Sequence, residues 1–78
     1  MSVWKIDVFP NNTDQGIACC TVLARSNTEA EARRLALDDA KARSVHDSPH
    51  VVLRGLATHD EARGMTDQET VLLIRYGH

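Results

Sequence analysis

Histidines, adjacent cysteines and a run of carboxylates are the residues of this 78-residue chain with the most chemistry to offer. His46 and His50 stand at the H-x-x-x-H spacing that sets two imidazoles on one side of a helix to bind zinc. Pro49 falls inside that spacing and breaks helical continuity. Asp47 with Cys19 or Cys20 would have to complete such a site, and no Cys-x-x-Cys pair or Glu-flanked histidine motif supports it. The histidines read as solvated loop residues, and no metal is expected. Cys20, His59 and Asp60 supply the residue types of a thiol nucleophile, its base and an orienting acid. A strand cysteine is more often a small buried hydrophobe, and a thin core leaves little room for a pocket that would tune the thiol. Gly16, Gly55, Gly64 and Gly77 are isolated, so no phosphate-cradling loop is present. No catalytic residue, no cofactor and no enzymatic activity are expected.

The carboxylates say more. Along residues 57–69, Asp60, Glu61, Asp67 and Glu69 stand against Arg63 alone, four charges against one, a local balance of −3 that exceeds the −2 of the whole chain. Upstream, Glu29, Glu31, Asp38 and Asp39 are offset by Arg33, Arg34, Lys41 and Arg43, with i,i+4 spacings such as Glu29 to Arg33 and Asp39 to Arg43. Exposed carboxylates are the ordinary surface of a small protein, and they also steer docking onto a basic surface that normally holds phosphates. Asp60, Glu61, Asp67 and Glu69 are therefore the candidate partner-binding charges, with Asp38 as support. A negative net charge has the wrong sign for direct nucleic-acid binding, and a single Trp, Tyr and Phe are too few for a base-stacking platform. A nucleic-acid-binding regulator would need Arg33, Arg34 and Arg43 clustered and unpaired.

These charges must be carried by regular elements. Residues 3–9 alternate, with Trp4, Ile6 and Val8 on one face and Lys5 and Asp7 on the other, the period of a half-buried strand. Turn formers fill residues 10–16, and residues 17–24 resume an apolar, β-branched pattern, which together predict a long-looped hairpin. A helix follows, with two alternative capping boxes at its start: Ser26 with Glu29, or Thr28 with Glu31. It is expected to run to about residue 44. Residues 50–56 and 69–76 are the remaining strands. Between them Thr58 and Glu61 repeat the capping spacing and Gly64 ends the one or two helical turns that result. The prediction is a single α+β domain over residues 1–78: a two-layer fold in the order β-β-α-β-short α-β, whose four-stranded, largely antiparallel sheet lies under one main helix. Trp4, Ile6, Val8, Val22, Leu35, Val51, Leu53, Leu72 and Ile74 are the expected core.

Leu35 and Leu37 project roughly 160° apart on the helix, with Asp39 near the middle of the face made by Ala32, Leu35 and Ala36. One sheet does not bury both leucines. Leu37 either touches a loop or forms part of a contact surface, for a partner or for a second copy in a homodimer. No apolar run approaches the roughly 20 residues of a membrane span, so no membrane association is expected and the chain reads as cytoplasmic. Adjacent Cys19 and Cys20 would bridge only with strain and read as reduced.

Trp4-Lys5-Ile6-Asp7, then Asn11-Asn12 and Gly16 before a second strand and an alanine-rich helix, resemble the opening of the small anti-CRISPR proteins of phages and mobile elements that inhibit type I CRISPR systems. The likeness covers under a third of the chain and carries over no contact residue. It implies a non-enzymatic inhibitor that binds a DNA-binding subunit of the surveillance complex in the host cytoplasm and blocks target-DNA recruitment, its acidic surface acting as a DNA mimic.

Overall fold

The computed structural model describes residues 2–9, 20–42 and 49–76. Six elements follow one another: β1 (Ser2–Phe9), β2 (Cys20–Ser26), α1 (Glu29–Ala42), β3 (His50–Leu56), α2 (His59–Ala62) and β4 (Val71–Tyr76). They form the predicted α+β arrangement, a four-stranded sheet antiparallel at every neighbouring pair with one main helix. The strand order is β3-β1-β2-β4, so the β1–β2 hairpin is central and the two later strands add to its flanks. The turn cluster at 10–16, the predicted strand start at 17–19 and the predicted helix end at 43–44 lie outside the described residues.

Register sets the core. Trp4 opposes Ala24, Ile6 opposes Val22 and Val8 opposes Cys20, which aligns all six on the face toward α1. From the other flank Leu53 and Val51 oppose Ile6 and Val8. The second of the two capping sites starts the helix: Thr28 Oγ1 accepts the Glu31 N–H at 3.2 Å. Ser26 instead ends β2, and its hydroxyl donates to Thr28 O at 2.6 Å. Ala32, Ala36 and Ala40 recur one turn apart and are the buried residues of α1. Since alanine ends at Cβ, this line lets the helix settle close against Cys20, Val22 and Ala24. Leu35 and Leu37 lie about 100° to either side of Ala36. Both are half-buried flanks, and Leu35 packs on the core.

Several expected core residues sit differently. Trp4, Leu35, Val51 and Leu53 are half-buried and pack against the core. Trp4 keeps its polar edge occupied, with Nε1–H donating to Ser26 O at 3.4 Å. On β4 the helix-facing positions are Val71 and Leu73, opposite Ala24 and Val22, and Leu72 pairs with Leu23 on the reverse face. Ile74 is 36% exposed rather than buried, because the register shifts between Thr21 and Val22 and leaves it as the extra residue of a bulge. Val71-Leu72-Leu73-Ile74 is apolar without alternation, so its sequence holds no parity signal.

Candidate partner-binding surface

The reverse face of the sheet, away from α1, carries Lys5, Asp7, Thr21, Leu23 and Leu72. Residues 57–70 connect β3 to β4 across it. They leave from the start of β1, where the Ala57 N–H donates to Val3 O at 2.9 Å. The capping box at Thr58 is complete: Thr58 Oγ1 accepts the Glu61 N–H at 3.1 Å, and Glu61 Oε1 accepts the Thr58 N–H at 2.9 Å. Beyond Ala62 the Gly64 N–H returns to Glu61 O at 3.2 Å. A Cβ at Gly64 would stand 3.5 Å from Leu72 Cδ2, so the connection lies directly on the sheet. Met65 and Leu23 are buried outside the helix-side core, which gives the connection an apolar footing of its own.

Two cations from the sheet hold it there. Lys5 Nζ reaches Glu61 Oε2 at 2.9 Å, and this contact, followed by the Thr58 amide, pulls the Glu61 carboxyl down from 4.5 to about 2. Arg25 on β2 is the second. Its backbone N–H donates to Thr70 O at 2.8 Å, and its Nη1 donates to the carbonyls of Thr66, Asp67 and Glu69 at 3.0, 3.1 and 3.0 Å. Glu69 Oε1 in turn accepts the Thr66 N–H at 2.9 Å and closes the turn before β4.

The four candidate carboxylates thereby divide into two kinds. Glu61 and Glu69 have oxygens committed to the fold. Asp60 is exposed and among the described residues meets only Arg63, at 3.4 Å between two largely solvated side chains. Asp67 is exposed, and its carboxylate makes no hydrogen bond or ion pair among the described residues. With Lys5 and Arg25 set beside Arg63, the four carboxylates face three cations, so the local balance becomes −1 where the sequence alone reads −3. Asp38 and Leu37 are not part of this surface. They belong to α1 on the other side of the sheet, where Asp38 pairs with Arg34 at 3.3 Å.

Farther along the reverse face a second polar network joins three strands. Asp7 Oδ1 accepts the Thr21 hydroxyl at 2.7 Å, and Asp7 Oδ2 accepts Arg54 Nε–H at 2.8 Å. The Arg54 guanidinium also lies 5.8 Å from the Phe9 ring centroid, within cation–π range. No signal in the sequence marks this network or the Arg25 clamp, because each joins residues far apart in the chain.

The candidate chemistry can be placed in the same frame. Cys20 is a buried member of the helix-side core opposite Val8, near the end of β1. His59 and Asp60 follow the Ala57–Val3 contact at its other end, five strand residues or roughly 16 Å away. The structure does not bring Cys20, His59 and Asp60 together. His46, Asp47 and Cys19 of the candidate metal set lie outside the described residues, and among those described no three His, Cys, Asp or Glu side chains gather as a metal would require. Of the arginines a nucleic-acid interface would use, Arg34 is paired with Asp38 and Arg43 lies outside the described residues. No described helix is long and apolar enough to cross a membrane. Comparison of the chain with protein-family models, with curated proteins and with solved structures gives no match.

Proposed function

We propose that the chain is a non-enzymatic protein-binding inhibitor that docks its acidic connection onto a basic partner surface, and that the partner is a type I CRISPR surveillance complex whose target-DNA site it occupies. One observation carries the reading. The Asp60 and Asp67 carboxylates project from a connection that Lys5, Arg25, the Thr58–Glu61 capping box and buried Met65 hold against the sheet. A charge displayed on a fixed frame loses little conformational freedom on docking, which favours specific recognition over diffuse attraction. The choice of partner rests on the resemblance of residues 4–7, 11–12 and 16 to the anti-CRISPR proteins. Docking of this kind weakens as salt screens it.

The test is co-elution of the purified chain with type I complexes, followed by target-DNA binding with and without it. The wild type is expected to co-elute and to remove DNA binding. A double variant, Asp60→Lys with Asp67→Lys, is expected to stay folded, since both positions are exposed, and to lose the complex. Retained binding by the folded variant rejects the two aspartates as docking charges. Absence of any association with the wild type rejects the partner.

A further inference from the structure

Among the described residues the sheet ends in two edge strands, β3 and β4, and both carry a bulge. On β3 the extra residue is Arg54, between Leu53 opposite Ile6 and Gly55 opposite Lys5. Its charge is turned back onto Asp7 of β1, and Gly55 follows at φ 124°, a left-handed angle that bends the strand. A charge and a bend are devices by which an edge refuses further pairing. On β4 the extra residue is Ile74, and the strand opens with four apolar residues in a row. Helix α1 rests chiefly on β1, β2 and β3 and reaches β4 least, so Val71 and Leu73 are left half-buried on the helix side. Among the described residues nothing pairs with this edge, and a strand that opens on four apolar residues is a template for another strand.

We propose that β4 pairs antiparallel with β4 of a second copy of this chain, joining the two sheets into one. Two features select a second copy. The strand is preceded by Asp67 and Glu69 and has Arg75 near its other end, so a two-fold axis through its middle sets each acidic end beside the other copy's basic end. Asp67 has no internal ion pair among the described residues to compete with that arrangement. The same axis also merges the two incompletely covered Val71 and Leu73 strips between the two helices, adding apolar burial that a lone peptide strand would not supply. This proposal stands on the edge strand and shares only Asp67 with the docking surface proposed above, so the test below substitutes neither docking aspartate.

Solution mass by light scattering tests it, from low micromolar to near-millimolar chain. The wild type is expected to reach twice the chain mass with rising concentration. Ile74→Lys places a charge on the edge at an exposed position. It is expected to raise the dimer dissociation constant on the order of tenfold or more, with an unchanged circular dichroism spectrum. Leu56→Lys, at the 63% exposed end of β3, is expected to leave the dimer intact. A wild type that stays monomeric throughout overturns the proposal. A dimer broken by Leu56→Lys and spared by Ile74→Lys overturns it equally.

Discussion

The two faces of this sheet are closed by different means. Under α1 the closure is apolar and periodic: Ile6, Val8, Cys20, Val22 and Ala24 meet Ala32, Ala36 and Ala40. On the reverse face it is a short connection held by point contacts: Lys5 on Glu61, Arg25 on three carbonyls, and buried Met65. The first kind of closure tolerates little change in volume. The second depends on a few charged atoms, so it responds to pH and to single substitutions while the rest of the fold persists.

The strongest way to break the helix side is to enlarge its contact line. Ala36 is fully buried, and Ala36→Leu is expected to cost about 3 kcal/mol, the upper part of the usual range for overpacking, read as a lowered urea midpoint. On the reverse face Arg25→Ala leaves three carbonyls without their shared donor. Because water reaches that site, the expected cost is only about 1–2 kcal/mol, but the loss should be local. Near-ultraviolet and helix-side signals are expected to survive while proteolytic cleavage within residues 57–70 accelerates.

A subtler test uses acid. Since folding depresses the Glu61 carboxyl from 4.5 to about 2, its contribution is present above 4.5 and is lost as pH falls from there toward about 2. Glu61→Gln is therefore expected to flatten the wild-type fall of the thermal midpoint over that interval, an outcome that a midpoint series in acid reads directly. The smallest effect is expected on the outside of α1. Arg34→Ala removes a pair in which both side chains are about three-fifths exposed, and should shift stability by less than about 0.5 kcal/mol in a denaturant titration.

Local rules carried the sequence reading as far as they reach. Alternation in residues 3–9, the Thr58–Glu61 spacing and the break at Gly64 are all decided by near neighbours in the chain, and each is found in the structure. The alanine line of α1 is only weakly marked in the sequence, because alanine buries little apolar surface beside the leucines that flank it. Leu35 and Leu37 turn out to flank the contact, which removes the conflict between them. The parity of β4 was not legible, since Leu72 and Ile74 are as apolar as Val71 and Leu73. Half of the candidate site is visible in the sequence only as charge. Sequence spacing identifies Glu61 as a cap, but nothing local announces Lys5, and Arg25 meets its carbonyls across more than forty residues of chain.

The most direct measurement is residue-resolved hydrogen exchange of the Arg63, Gly64 and Met65 amides, which donate to His59 O, Glu61 O and Ala62 O. Protection in the wild type, lost in Arg25→Ala while the Ala32 amide of α1 stays protected, is the result expected of a connection fixed to the sheet by that arginine. Exchange of those three amides at the rate of an open loop in the wild type would contradict it, and with it the fixed frame from which Asp60 and Asp67 are proposed to dock.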